Sequence, residues 1–298
     1  MGESARADPV TPAAVAALRA HPRFADALRA SAAGLAGLYH GSHLLNWLID
    51  DRGRMLFGYF ALYLHVTYDP ADPSSGLIPT RMRRLVAELG ICSQGRALAM
   101  LSLMRFGGYL APAVQVVDRR QRRLVATDKL FALLEERLRL HLGAMAPLFA
   151  DGAAMRAALD DPAVLRALIV AVAERFIAGF RFLTHAPQIR LFGERNAGIL
   201  IFATLLSAGE ADDTVPPTRP VPVSIAALAR RFAVSRPHVL KLLRDAETEG
   251  LVARNGDGVV ITPVLADAAQ TLFAAVYLFL SACVRDAMAA TGRKRKAG

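Results

Sequence analysis

The chain of 298 residues has few cysteines, and their scarcity excludes several kinds of protein. Only Cys92 and Cys283 occur, far apart in the sequence and both in apolar surroundings. They form neither a disulfide framework nor a Cys-x-x-Cys pair, which favours buried thiols in a reducing compartment. The first residues also lack the basic and apolar regions of a secretory signal. We therefore expect a cytoplasmic protein.

The chain also lacks the short motifs that mark common catalytic and cofactor sites. It has no Gly-rich phosphate loop of the Walker or Rossmann type and no nucleophile elbow. His40 and His43 have a spacing typical of metal ligands, but no carboxylate or thiolate accompanies them in that segment. We therefore expect no enzyme, no cofactor and no metal site.

The longest apolar run is shorter than a membrane span. It extends from Thr271 to Val284, 14 residues, whereas a bilayer requires roughly 20. A helix that is apolar on all sides must nevertheless be buried. We expect it to pack against other helices of this chain or of a second copy, and we expect no membrane partner.

Acidic residues are fewer than basic ones, 26 against 36, so the formal net charge is +10. Thirty-two of the basic residues are arginine, whose guanidinium binds phosphates and guanine edges with two hydrogen bonds. This balance favours a polyanionic partner, although an arginine-rich genome would produce it as well.

The chain does contain one pattern twice, around residues 80–130 and again around residues 224–265. Each copy has a short helix, a tight turn, a second helix that ends at a glycine, and an extended stretch with a hairpin turn. The distance from Ser93 to Gly108 is 15 residues, and so is the distance from Ser235 to Gly250. This order is typical of a winged helix-turn-helix.

The repeat predicts a mainly α-helical fold with small β wings, in which two winged helix-turn-helix modules are joined through a helical interface. We expect the N-terminal helices to break near His21-Pro22 and Gly34, and a continuous helix, Arg190–Leu206, to lead into the second module. The basic end, Arg293–Lys296, is expected to be disordered. The predicted regions are N-terminal helices over 1–50, a first module over 51–150, connecting helices over 151–188, and a second module with a C-terminal helix and basic tail over 189–298.

The second copy places cations on the side of its second helix that points away from the core. Apolar residues at helical spacing suit an inward face in both of its helices. Residues on the other side, or at the N-terminal end of the second helix, can reach bases and phosphates in a major groove. We predict DNA contacts from Ser235, Arg236, His238, Lys241 and Arg244, and from Arg254 beside the hairpin turn.

The first copy has its charge elsewhere. Ala99 and Ser102 stand where the second copy has Lys241 and Arg244, while its hairpin is rich in arginine. Such a run suits phosphate contacts, although charged runs are also common on solvated surfaces. We expect this copy to hold the duplex through phosphates while the second reads more of the sequence. The predicted contacts are Arg81, Arg83 and Arg84, then Ser93, Gln94 and Arg96, then Arg119, Arg120, Arg122 and Arg123.

A leading helix, a helix-turn-helix, a wing and a long helix that begins at Thr127-Asp128 or Thr262-Pro263 together resemble the MarR family of bacterial transcriptional regulators. The resemblance covers most of residues 54–286 as two copies, and neither copy has the full wing pattern of the family. It implies sequence-specific binding of double-stranded DNA by a pseudo-dimeric monomer or a homodimer. It also implies a small aromatic effector, for which Tyr39, Trp47, Tyr59, Tyr63 and Tyr68 are candidate pocket residues, although such aromatic residues are usually core.

Two other functions fit the same pattern. Plasmid initiators of replication also fuse two winged helices, and such a replication or partition protein would bind repeated sites at an origin rather than a promoter. A protein-interaction scaffold, in which both winged helices have lost DNA binding, would tolerate Arg→Ala changes in both modules.

Overall fold

The computed structural model describes residues 8–38, 52–72, 74–114, 123–210, 212–256 and 258–297. Helices dominate this part of the chain, and its strands form two short antiparallel sheets of two strands each. The expected class, mainly α with small β elements, is therefore confirmed.

The helices and strands follow a similar order in two halves of the chain. The first half contains α1 (Pro12–Arg19), α2 (Phe24–Gly37), α3 (Arg52–Val66), α4 (Pro79–Glu88), α5 (Gln94–Phe106), β1 (Leu110–Pro112), β2 (Leu124–Ala126) and α6 (Asp128–Met145). The second half contains α7 (Gly152–Ala157), α8 (Pro162–Ile177), α9 (Phe182–His185), α10 (Arg190–Gly193), α11 (Gly198–Ser207), α12 (Ile225–Arg231), α13 (Arg236–Thr248), β3 (Val252–Asn255), β4 (Gly258–Ile261) and α14 (Pro263–Ala297). Short 3-10 turns lie at Ala146–Leu148, Ala158–Asp160 and Pro187–Ile189.

Each hairpin pairs with a residue that precedes the two helices next to it in the chain, which are α4 and α5 in the first half and α12 and α13 in the second. In the first half Leu77 forms an antiparallel bridge to Leu124 of β2, and in the second half Val221 forms one to Val259 of β4. The two halves therefore share this topology as well as the order of their elements. Within the hairpins, Leu110 pairs with Ala126 and Val252 pairs with Ile261.

The helices of the two halves interlock. Helix α1 packs on α14 of the other half, and α7 packs on α6 in return. Likewise α2 of the first half packs on α11 of the second, and α8 of the second half packs on α3 of the first. Within each half there is a matching pair as well, since α2 packs on α6 and α8 packs on α14. The structural repeat therefore includes the first two helices of each half, so α7 and α8, within the region expected to connect the modules, correspond to α1 and α2.

One cluster of buried side chains runs through both halves, from Val10 to Ala287. Ion pairs at the surface join distant parts of the chain around it. Arg19 of α1 lies 2.7 Å from Asp267 of α14, measured between Nη2 and Oδ1. The halves thus share a single core, because the elements that form it come alternately from each.

Two expected helix boundaries are wrong. Helix α2 continues through Gly34, where a Cβ atom would lie 2.4 Å from Cδ1 of Leu140, so this glycine permits a close approach of α2 and α6. The helix expected over Arg190–Leu206 is broken between α10 and α11. Ala197 there has a φ of 54°, in the left-handed region, and a Cβ on Gly198 would lie 2.2 Å from the carbonyl oxygen of Phe192.

The C-terminal helix is longer than expected. Its backbone continues as far as Ala297, so the basic end is helical and the expectation of disorder there is wrong. Residues Pro263–Arg293 form the one helix of the described part of the chain that is long and apolar enough to cross a membrane, with a mean hydropathy of 1.6 over an 18-residue window. Since 56% of that window is buried inside the fold, as in the core helix of a soluble protein, these criteria do not by themselves indicate a membrane.

Candidate nucleic-acid interface

Helices α12 and α13 of the second half pack against each other through apolar side chains. The buried face of α13 consists of Val239, Leu242, Leu243 and Ala246, as the sequence predicts. Between the helices Ala233 has a φ of 56°, which turns the chain sharply. The opposite face of α13 is therefore directed away from the core.

The start of α13 is capped by a side chain. The Oγ of Ser235 accepts a hydrogen bond from the backbone N–H of His238 at 3.2 Å, and Pro237 lies in the first turn, where a missing N–H costs nothing. Arg236, Lys241 and Arg244 are exposed along the outward side. The start of the helix therefore combines partly unsatisfied N–H groups with the positive side chain of Arg236, which together attract phosphates.

His238, a predicted DNA contact, is engaged with the protein. Its Nε2 lies 2.8 Å from the backbone carbonyl oxygen of Asn196, in the segment that joins α10 to α11. In the same segment Arg195 donates to Asp245 of α13 at 3.0 Å. Two contacts therefore fasten α13 to this segment, and the imidazole faces it rather than the outward side of the helix.

Arg254, also a predicted contact, is bound to α13. Its Nε and Nη2 lie 2.9 and 2.5 Å from Oε2 of Glu247, and its backbone N–H donates to Oε1. These hydrogen bonds hold the pKa of Glu247 below its usual value. The arginine thus attaches the hairpin to the helix, and its side chain is only 29% exposed.

The corresponding helix of the first half, α5, has the same construction and a different surface. The Oγ of Ser93 caps it through the N–H of Arg96 at 3.3 Å, and its inward residues are buried. Gln94 and Arg96 are exposed as predicted, but so are Leu98 and Phe106, the latter 85% exposed. The outward face of α5 is therefore partly apolar where that of α13 is cationic.

The predicted arginines of α4 lie beside this helix. Nη2 of Arg83 donates to Oε1 of Gln94 at 2.9 Å, and Nε of Arg84 lies 3.7 Å from Oε1 of Glu88. Arg84 is exposed, and Arg81 is half-buried. Of the three, Arg84 is the most accessible, since Arg83 is occupied in orienting the first residue of α5.

Three predicted contacts at the first hairpin, Arg119, Arg120 and Arg122, lie outside the described residues. The same is true of four other residues considered above, Tyr39, His40, His43 and Trp47. Arg123 is described, and its guanidinium carbon lies 3.9 Å from the centroid of the Tyr68 ring. This stacking positions the base of the hairpin, because a guanidinium over an aromatic face is attracted by the ring quadrupole.

The two helices with exposed outward faces, α5 and α13, end with the same hydrogen-bonded arrangement, called the threonine lock below. Gly108 and Gly250 have φ angles of 73° and 69°, and each follows the last turn of its helix. Oγ1 of Thr127 donates to the carbonyl of Gly108 at 2.7 Å, and Oγ1 of Thr262 donates to that of Gly250 at 2.8 Å. Each lock ties an outward helix to the long helix of its own half.

Arg231 and Arg181 connect the helix pairs α12–α13 and α4–α5 to the other half of the chain. The sequence patterns do not single out either arginine. Nη2 of Arg231, in α12, donates to the carbonyl of Ala36 at 2.8 Å, at the end of α2. Arg181, after α8, donates to the carbonyls of Phe176 at 2.7 Å and of Leu89 at 3.4 Å, the latter at the end of α4. No local sequence signal marks these contacts, because their partners are backbone atoms far along the chain.

Three of the aromatic residues proposed for an effector pocket are described, Tyr59, Tyr63 and Tyr68. Tyr59 lines a cavity of about 160 Å³ between the halves, whereas the other two do not line it. Among the described residues, no three His, Cys, Asp or Glu side chains are grouped as metal ligands. Cys92 is half-buried and Cys283 buried, and neither is in a disulfide.

No protein-family model, curated protein or solved structure matches the chain significantly.

Proposed function

We propose that this chain is a transcriptional regulator that binds double-stranded DNA through two unequal winged helix-turn-helix modules. Helices α4 and α5 with β1 and β2 would form the first module, and α12 and α13 with β3 and β4 the second. The two cysteines outside any disulfide and the basic balance suit a protein that works on DNA in the cytoplasm.

The observation that carries this proposal is the outward side of α13. Arg236, Lys241 and Arg244 are exposed over a fully apolar inner face, on a helix braced by α12 and followed at once by a hairpin. A major groove about 12 Å wide admits such a helix, and guanidinium groups recognise guanine edges and phosphates there.

The contacts of the second module suggest distinct roles for its residues. Arg236 and Arg244 are the best placed to read bases. Lys241 contacts Asp245 at 3.2 Å but remains 65% exposed, so it can turn to a phosphate at little cost. His238 and Arg254 would act by holding α13 and the hairpin in position rather than by touching DNA.

Selection of bound sequences from a random duplex library, followed by fluorescence anisotropy with the selected duplex, tests this proposal. The purified chain should bind with an affinity that falls steeply with salt, and footprinting should protect two patches about one turn, roughly 10 base pairs, apart. Arg236→Ala combined with Arg244→Ala should abolish selection, whereas Arg23→Ala, an exposed change at the start of α2, should not. Failure of the chain to bind any duplex in a salt-sensitive manner would refute the proposal.

The apolar surface of α5 favours a second candidate for the first module, an interaction with protein. Leu98 and Phe106 are 42% and 85% exposed on the face that would otherwise enter a groove. Phe106→Ser should then leave the DNA affinity unchanged and abolish a protein contact.

Immunoprecipitation of bound DNA from cells separates the remaining alternative, because an initiator or partition protein would collect repeated sites at an origin instead of promoters.

A further inference from the structure

An apolar cavity between the two halves lies where their long helices face each other. Its volume is about 160 Å³, and it is lined by α3 and α6 on one side and by α8, α11 and α14 on the other. An apolar protein cavity of about 150 Å³ is sufficient to bind benzene. The space therefore suits one small molecule.

Equivalent positions of the two halves line this cavity. Arg137, Leu138 and His141 stand 10, 11 and 14 residues after Thr127, and Leu272, Phe273 and Val276 stand at the same distances after Thr262. Because the two threonines form the same lock, these residues occupy matching places on α6 and α14, and all six line the cavity. The cavity therefore lies where the repeat of the fold brings equivalent positions together.

The two sides of the cavity differ in chemistry. Arg137 and His141 in the first half are replaced at the matching positions by Leu272 and Val276 in the second. Two copies of one chain would present identical sides to such a site. A fused chain can instead present a polar side and an apolar side, and so can hold a molecule with unlike ends in one orientation.

Among the described residues that line the cavity, the polar side has the guanidinium of Arg137 and two neutral groups. Burial raises the pKa of Tyr59, which stays a phenol, and burial together with the charge of Arg137 lowers the pKa of His141 to about 3, which keeps the imidazole neutral. Behind His141, Ser31 lies 3.4 Å from its Nδ1 and accepts from Tyr277 at 2.8 Å. A guanidinium flanked by a phenol and an imidazole complements a carboxylate, which accepts hydrogen bonds from all three kinds of group.

Aromatic rings form part of the apolar side. The ring centroid of Phe279 lies 5.1 Å from that of Phe182 and 5.5 Å from that of Phe176, and all three residues line the cavity. Packed rings of this kind present a preformed apolar wall.

We propose that this cavity binds one small amphiphilic anion per chain, with its carboxylate against Arg137 and its apolar body against Leu272, Val276 and the phenylalanines. The site also reaches the second module. Ile189, Gly193, Ile199 and Leu200 line the cavity, and between them Arg195 and Asn196 hold α13. A ligand that displaced this segment would also move α13. The importance of that movement rests on the proposed function, whereas the binding of the ligand to the cavity does not.

Isothermal titration calorimetry on the full chain without DNA tests the site. The probes are octanoate and 3-phenylpropionate, each compared with the alcohol of the same carbon skeleton, 1-octanol and 3-phenylpropanol. At least one carboxylate should bind with a stoichiometry of one and about tenfold more tightly than its alcohol, the value of one charged hydrogen-bond contact. The better of the two carboxylates shows whether an aliphatic or an aromatic body fits.

Two variants with matched controls locate the binding. Arg137→Leu, which copies Leu272, should remove the preference for the carboxylate, while Arg139→Leu on the same helix, outside the cavity, should retain it. Val276→Phe should fill the cavity and abolish binding of both classes, while Val264→Phe, exposed at the start of α14, should not. Equal affinity for acid and alcohol, a preference that survives Arg137→Leu, or no heat from any probe at millimolar concentration would overturn the proposal, whether or not the chain binds DNA.

Discussion

Arg254 and Glu247 join the second hairpin to α13, with two guanidinium nitrogens 2.9 and 2.5 Å from one carboxylate oxygen. Because the hydrogen bonds lower the pKa of Glu247, its folded-state pKa lies below the ordinary value of 4.5. The stabilisation is then fully present above pH 4.5 and is lost as the pH falls through the lower, folded pKa.

Glu247→Gln should therefore lower the thermal unfolding midpoint at neutral pH, and the difference from the parent chain should shrink as the pH falls below about 4. Circular dichroism melts across this range measure it. Lys241→Gln, which alters a more exposed contact on the same helix, serves as a control. A difference between Glu247→Gln and the parent that does not change with pH would show that the ion pair contributes nothing.

The second hairpin should depend on Gly258. A Cβ at this position would lie 2.2 Å from the carbonyl oxygen of Val221, and its φ of 144° is unfavourable for any other residue. Gly258→Ala should lower the free energy of unfolding by about 1 to 3 kcal/mol, since β4 must move away from Val221. Gly256→Ala in the same turn is the matched control, because nothing lies within 4 Å of its Cβ position. Chemical denaturation should separate the two variants, and equal midpoints would contradict the prediction.

The starts and ends of α5 and α13 could be predicted because their markers are local. Ser93 and Ser235 accept hydrogen bonds from N–H groups three residues along, and Gly108 and Gly250 adopt the left-handed conformation that ends their helices. Such signals need only a few neighbouring residues, so the amino-acid order alone is sufficient to recognise both copies.

The interlocking of the halves could not be predicted in this way. Arg19 meets Asp267 across 248 positions of sequence, and Arg231 binds a backbone carbonyl at Ala36, neither of which leaves a local pattern. The same limit applies to the candidate interface. Helical spacing predicts His238 on α13 as a DNA contact, and the hairpin turn predicts Arg254 beside it, but neither pattern shows that Asn196 and Glu247 engage these side chains.

His141 should make the chain sensitive to acid. Its pKa is lowered to about 3, so between pH 6.5 and 3 the unfolded chain binds the extra proton and the folded chain does not. Stability should accordingly fall with decreasing pH in this window by up to about 1.4 kcal/mol per pH unit from this residue alone.

His141→Val, which copies the matching residue Val276, should remove that part of the pH dependence. Urea denaturation at pH 7 and pH 5 measures it in the variant and in the parent chain. His21→Val, half-buried between α1 and α2, controls for the removal of any histidine. An unchanged slope in His141→Val would mean that the buried imidazole is not the cause.

The two modules should divide the work of binding DNA between them. If the first hairpin binds phosphates, replacing Arg119, Arg120 and Arg122 by Ala should reduce the slope of log affinity against log salt by about 0.9 for each phosphate that is no longer neutralised, without changing the preferred sequence. Arg123 is retained in this variant because its guanidinium stacks on Tyr68. Arg236→Ala or Arg244→Ala should instead relax the preference at one base pair, by about 1 to 3 kcal/mol, because a guanidinium that reads a base edge is removed. Anisotropy titrations over a salt series, with the selected duplex and single-base variants of it, distinguish the two effects. Hairpin variants that altered sequence preference, together with helix variants that altered only the salt slope, would reverse the assignment, and reading of the sequence would then belong to the first module.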